Sequence, residues 1–156
     1  MTMNMRALLE THPFTKGMND DAVELIAGCA RNVTFEQGER LCAEGQCADT
    51  FYLLRRGGVS IKVHAPGRGS IVIETVGPGE VVGWSWMVPP YLWTFDAEAT
   101  ESVGCIAIDG VCLRAKALSD PALGFALLSK VAETLLARLQ ATRMRLLDLY
   151  GDHGVR

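Results

Sequence analysis

The chain predicts a mainly β fold with flanking helices: an antiparallel β-roll, jelly-roll-like in the manner of a double-stranded β-helix, with N-terminal helices and a long C-terminal dimerisation helix. Three observations carry this prediction. The hydrophobic period is helical up to about residue 32, changes to two between residues 33 and 109, and becomes helical again afterwards. Turn residues punctuate the middle region so closely that only short strands fit. The last third carries a heptad seam. The 156 residues suit one domain with a core of its own. Its expected parts are residues 1–32, 33–109 and 110–150, with no DNA-binding domain.

At the N-terminus, Met5-Arg-Ala-Leu-Leu-Glu10 reads as a short amphipathic turn. Asn19-Asp-Asp opens a second helix with a capping side chain and early negative charge. Val23, Ile26 and Cys29 keep helical spacing, and a stop is expected near Arg31-Asn32. Then come alternating runs: Phe51 and Leu53; Val59, Ile61 and Val63; Ile71 and Ile73; Val103, Cys105 and Ala107. Between the runs lie Gln37-Gly, Glu44-Gly-Gln, Arg56-Gly-Gly, Pro66-Gly-Arg-Gly and Gly77-Pro-Gly, each a turn signal. Many short strands in one tight domain imply an antiparallel sandwich or roll.

Helical spacing returns at Asp109-Gly-Val-Cys-Leu-Arg, and Asp120-Pro121 supplies an N-cap followed by Pro in the first turn. Leu128, Ala132, Leu135, Leu139, Thr142, Leu146 and Leu149 then fall at alternating steps of four and three. These seven positions are the expected homodimer interface. Leu127, Val131, Leu136 and Leu147 flank the seam, so the helix can face its own domain as well as a partner helix. Arg138, Arg143 and Arg145 read as a solvated face, partly balanced by Glu133 and Asp148.

Composition narrows the function. A net charge of -3 and a pI near 5.6 argue against a nucleic-acid binder that relies on a basic surface. A mean hydropathy of +0.16 calls for a second subunit or ligand to cover apolar surface. No apolar run approaches membrane-span length and the N-terminus lacks a signal-peptide core, so the expectation is a cytoplasmic protein without membrane contact. The five cysteines contain no C-x-x-C pair and read as small buried hydrophobes. Cys42 and Cys47 sit across a turn, but His12, His64 and His153 are too scattered to complete a metal site. No metal, cofactor or catalytic constellation is expected. Gly83-Trp-Ser85-Trp-Met, for instance, lacks the second glycine of a nucleophile elbow.

The most informative stretch is Gly77-Pro-Gly-Glu-Val-Val-Gly-Trp-Ser-Trp-Met-Val-Pro-Pro-Tyr-Leu-Trp93. Gly77, Gly79 and Gly83 give it the frame of a loop that wraps an anion. Yet residues 81–101 hold no Arg or Lys, and all three tryptophans fall there. An extended Gly-Trp-Ser-Trp would put Trp84 and Trp86 on one face, either filling the roll or lining a pocket. Pro89-Pro90 would stiffen the segment and turn Tyr91 outward.

Three sets of residues, in order, carry a family resemblance: Phe35-Glu-Gln-Gly-Glu-Arg-Leu-Cys-Ala-Glu-Gly45, Asp49-Thr-Phe-Tyr-Leu-Leu-Arg-Arg-Gly57-Gly-Val-Ser-Ile, and Val76-Gly-Pro-Gly-Glu-Val-Val-Gly83. From about Pro13 to Tyr150 the chain resembles the cyclic-nucleotide-binding domain of the catabolite-activator and fumarate-nitrate-regulator superfamily. The resemblance implies a phosphate-binding cassette, continued in the family by a Glu for the ribose hydroxyl and ended by an Arg for the cyclic phosphate. Here Trp84 follows Gly83, and the Arg position falls on Trp93 or beside it. Gly-Trp-Ser-Trp followed by Pro-Pro-Tyr is similar to a branch of the superfamily, which implies a distinct specificity.

The expected ligand-binding residues are therefore Gly83, Trp84, Ser85, Trp86, Tyr91, Trp93 and Thr94. A missing contact to a charged group costs about 1.5–3 kcal/mol, roughly one to two decades of affinity. The expected function is that of a homodimeric, non-catalytic sensor or regulatory module. It binds a small ligand, not necessarily cyclic AMP or cyclic GMP, between the roll and the long helix, and is read by a partner protein without specific DNA binding. The alternative is a structural dimer or adaptor whose pocket is filled by its own tryptophans.

Overall fold

A computed structural model describes residues 4–154 of the protein. Residues 1–3 and 155–156, which carry parts of the expectations for the two termini, lie outside the described residues. The helix α1 (Met5–Glu10) is capped by Asn4, whose side chain accepts from the Ala7 amide. A 3-10 turn over Pro13–Thr15 leads to α2 (Asp20–Ala27), which Asn19 caps in the same way. The roll follows as β1 (Ala30–Phe35), β2 (Arg40–Cys42), β3 (Thr50–Arg56), β4 (Val59–Ala65), β5 (Gly69–Val76), β6 (Val81–Val82), β7 (Asp96–Ala99) and β8 (Val103–Asp109). Two helices close the chain, α3 (Gly110–Ser119) and α4 (Pro121–Gly154).

The strands form two four-stranded antiparallel sheets, ordered β1-β8-β3-β6 and β2-β7-β4-β5. The inner strands β3 and β8 of the first sheet are buried on both faces along most of their length, which explains why β3 does not alternate with polar neighbours as the spacing predicts. Phe51 and Leu53 face the helices and pack with Leu9, Phe14, Ile26, Ile106 and Leu113. Tyr52 and Leu54 face the interior of the roll, with Val59, Ile61, Val82 and Phe95. A strand buried on both sides reads as a continuous apolar run.

Three details differ from the sequence-based expectation. The second helix stops at Ala27 and β1 starts at Ala30, earlier than the stop expected near Arg31-Asn32. Pairing with β8, from Ala30↔Ile108 to Phe35↔Val103, satisfies the backbone that a longer helix would have used. In the β4–β5 hairpin the register slips between Ile61 and Lys62, so Ile73 is an extra residue and not the next inward position. Lastly, Cys29 and Cys112 are joined by a disulfide across 83 residues, whereas the spacing predicts five unpaired thiols. Cys42 and Cys105 are buried free thiols, and Cys47 is exposed.

Asp120 caps α4, its side chain accepting from the Leu123 amide at 3.2 Å. Leu123, Leu127 and Val131 hold the first turns of this 34-residue helix against the domain. The seam residues Leu128, Ala132, Leu135, Leu139, Thr142, Leu146 and Leu149 are all exposed on the single chain. No described helix is long and apolar enough to cross a membrane.

Candidate ligand-binding cassette

Between β6 and β7 the chain makes one excursion, and its glycines set the path. The turn before it is closed by Glu80, whose carboxylate accepts from the Gly77 amide. Gly83 has φ +98, and a Cβ there would overlap the Trp93 ring. Only glycine combines that backbone angle with that approach. Trp93, 5% exposed, lies inside the roll with its ring centre 5.7 Å from that of Phe95. Its backbone is held on both sides by the β2–β3 turn: its amide donates to Gln46 at 2.9 Å and its carbonyl accepts from Gly45 at 2.9 Å.

Trp84 and Trp86 do not share a face. Residues 85–87 form a turn, with the Met87 amide donating to the Trp84 carbonyl at 3.1 Å, and this sends the two indoles apart. Trp86 enters the helix-side core and stacks on Phe51 at 4.5 Å with 7° between the rings. Gly110 leaves room for it, since a Cβ there would come within 2.7 Å of the Trp86 Cβ. Trp84 stays half-buried at the surface facing α4. The Pro89–Pro90 bond is cis, and Tyr91 takes a left-handed conformation at φ 58. Tyr91 does not point freely outward, because the Arg114 guanidinium of α3 covers its ring at 3.9 Å. Arg114 also donates to the Trp86 carbonyl. Ser85 is half-buried, Thr94 is exposed and Gly83 is buried.

The residue that sequence reasoning missed is Arg138. Its expected solvated position is corrected by three contacts: the guanidinium lies 4.1 Å from the Trp84 ring centre, Nη2 donates to the Val81 carbonyl at 2.6 Å, and Nε sits 3.5 Å from Glu74 Oε1. Burial lowers its pKa, while Glu74 and Glu80 oppose the shift. Arg145, two turns on, donates to the carbonyl of the bulged Ile73 at 2.7 Å. The sequence signal was available: Arg138 and Arg145 continue the inward stripe of Leu127 and Val131 at helical spacing. Residues 81–101 carry no cation of their own, and α3 and α4 deliver one each.

Two cavities flank this excursion. One, of about 380 Å³, lies between the roll and α4 and is lined by Phe14, Glu80, Val81, Lys130, Thr134 and Arg138. It reaches the approach to the cassette but none of residues 83–94. The other, of about 360 Å³, is bounded by Met87, Tyr91, Arg114, Leu118, Gly124 and Leu128. Of the seven residues expected to bind ligand, Tyr91 faces that second cavity, Trp84 sits beneath Arg138, and Trp86 and Trp93 are core side chains. Among the described residues, the amides of Trp84, Ser85 and Trp86 donate to no protein acceptor, so the turn retains free N–H groups.

Two sheets closed into a roll, a glycine-framed excursion before β7, and a long helix packed back on it describe a known architecture. The family model for the cyclic nucleotide-binding domain matches residues 32–120. The chain belongs to that family. A protein of Geobacter metallireducens GS-15 described as a cyclic nucleotide-binding protein has a TM-score of 0.78 and 31% identity, over 89% of this chain and 99% of that one. The catabolite activator protein of Thermus thermophilus shares the fold, with a TM-score of 0.62 at 23% identity, over 90% of this chain and 62% of that one. The CRP-like cAMP-activated global transcriptional regulator of Mycobacterium tuberculosis is 26% identical over 134 residues, which are 86% of this chain. The chain spans 58% of the length of that relative.

The cyclic nucleotide-binding domain is a regulatory fold. At or beside the position where the resemblance places Arg, the chain has Trp93, whose ring occupies the interior below Gly83.

Proposed function

We propose that the protein is a non-catalytic, homodimeric regulatory module that senses a small ligand, not necessarily cyclic AMP or cyclic GMP, and passes the signal through α4 to a partner protein. The observation that carries this reading is Arg138. One side chain of α4 touches the cassette at Trp84, the sheet edge at Val81 and the hairpin at Glu74, so a ligand that moves any of them biases the pose of the helix. Both cavities open against α4; of the proposed ligand-binding residues Gly83, Trp84, Ser85, Trp86, Tyr91, Trp93 and Thr94, Tyr91 lines one, and Trp84 lies under the Arg138 that lines the other. The exposed heptad stripe supports pairing of two α4 helices, since an apolar patch of this length on a soluble domain marks an interface. The net charge of -3 supports an output through protein contact and not through specific DNA binding.

The Trp93 ring beneath Gly83 supports a second reading, in which the module is a structural dimer or adaptor with its interior permanently filled. Calorimetric titration with cyclic AMP and cyclic GMP, together with native mass spectrometry of the purified protein, tests both. Dissociation constants above roughly 100 μM are expected, because one or two charged contacts are missing from an otherwise micromolar site. Low-micromolar affinity lost on changing the cassette overturns the claim about cyclic nucleotides. A co-purifying small molecule supports the sensor, and a protein of bare mass supports the adaptor.

A further inference from the structure

We infer that the Cys29–Cys112 bond is a site of thiol–disulfide exchange that sets how firmly α3 holds the cassette. The inference rests on where the two residues sit. Cys29 follows the C-terminal end of α2 and is 8% exposed; Cys112 is in the first turn of α3 and half-buried, with 5.9 Å between the Cα atoms. An incoming thiolate therefore meets Cys112 before Cys29.

The opposite side of the same helix grips the cassette. Arg114 covers the Tyr91 ring and donates to the Trp86 carbonyl, while Gly110 packs on the Trp86 Cβ and donates to the Asp49 carbonyl at 2.7 Å. The helix is thus a strap, covalently fixed to α2 at one edge and laid over the cassette at the other. It also packs along α4. When the covalent edge is released, two non-covalent ties to the α2 side remain: the Asp109 amide on the Cys29 carbonyl and Lys116 Nζ on the Leu25 carbonyl. They keep the strap in place but allow it to open locally at lower cost.

The chemistry requires a dithiol reductant, small or protein-borne. One of its thiolates attacks the Cys112 sulfur, the Cys29–Cys112 bond breaks, and Cys29 leaves as a thiolate that takes up a proton. The second thiol of the reductant then displaces Cys112 from the mixed disulfide. In sum the protein gains two electrons and two protons as two thiols, and the reductant becomes a disulfide. Two of the three free thiols do not compete from within the fold: burial pushes the Cys42 thiol up to about 12 and the Cys105 thiol up to about 11, which leaves both protonated. The third, Cys47, is exposed, and its replacement by Ser is the control below.

The test uses the full chain with and without dithiothreitol, in the folded state. Alkylation after unfolding counts thiols, and hydrogen exchange reads residues 85–92 and 111–119. The expected result is three labelled cysteines before reduction and five after it. The two new thiols appear together, and exchange in both segments rises about tenfold with the rest of the roll unchanged. Cys47→Ser should behave as the wild type, and Cys112→Ser should remain at the fast-exchange level with no response to reductant. Should that variant not fold, the wild-type comparison decides alone. Five labels in the air-oxidised protein, a bond that opens only on unfolding, or reduction without change in the two segments overturns the inference.

Discussion

The Arg138 guanidinium lies 4.1 Å from the centre of the Trp84 ring and donates to the carbonyl of Val81, three residues earlier. One cation from the last helix thereby holds both the ring and the backbone at the entrance to the cassette. A planar guanidinium can stack and donate in the same pose, which an ammonium cannot.

Replacing Arg138 with Ala should cost about 2 kcal/mol of stability, the sum of a cation–π contact and a charge-assisted hydrogen bond in a half-dry setting. Chemical denaturation gives the value. Arg138→Lys should recover less than half of it. The red shift of tryptophan emission that follows exposure of Trp84 should accompany the alanine variant.

Gly83→Ala should destabilise the protein by more than about 2 kcal/mol, because it adds a steric overlap with Trp93 to the strain of a left-handed backbone angle. Gly38→Ala is the control. Gly38 has φ +88 with nothing within 4 Å of the added Cβ, so only the strain, about 1 kcal/mol, should be seen. Equal losses at the two positions would mean that the Trp93 ring does not press on Gly83.

In the proposed dimer, Leu139→Glu should leave a folded monomer. Leu139 is 47% exposed on the single chain and lies mid-seam, so a carboxylate there would be buried against its own copy. Light scattering combined with circular dichroism checks the outcome. A variant that stays dimeric with native helicity would place the interface elsewhere.

Acid should weaken the fold through His12. The imidazole is 4% exposed, and the assigned tautomer donates from Nε2 to the Leu54 carbonyl at 3.0 Å and accepts the Phe14 amide at Nδ1 at 3.1 Å. Burial lowers its pKa below the ordinary value of 6.5, with Arg55 adding to the effect and the Leu54 carbonyl opposing it. A depressed folded pKa means the unfolded chain binds the extra proton first. The His12 contribution is therefore constant above about pH 6.5 and shrinks as pH falls from there towards the folded value. Urea midpoints measured across that window should show the slope, and His12→Asn should flatten it.

Much of the fold was legible because it rests on local chemistry. Glycine turns such as Pro66-Gly-Arg-Gly, the caps Asn19 and Asp120, and the heptad from Leu128 to Leu149 each state their geometry within a few residues. The site was less legible because its deciding contacts are long-range. Whether Arg138 faces water or Trp84 depends on which side of α4 the roll covers; the stripe of Leu127 and Val131 marks that side, but a charged residue continuing the stripe reads as solvated until its partners on β5 and β6 are known. Trp84 and Trp86 look equivalent in an extended segment, and the turn at residues 85–87 separates them. The Cys29–Cys112 pairing joins positions 83 residues apart, with no spacing signature to announce it.

Trp93 makes the roll interior a site with a tethered occupant. A side chain attached to the wall it fills acts at the effective concentration of a short tether, on the order of millimolar or higher. A free metabolite competing for that volume must displace an indole that never diffuses away. The inside of the roll is in this sense a constant of the molecule, and the quantities free to vary with conditions are those at its edge, where Trp84, Tyr91 and the two arginines meet the helices.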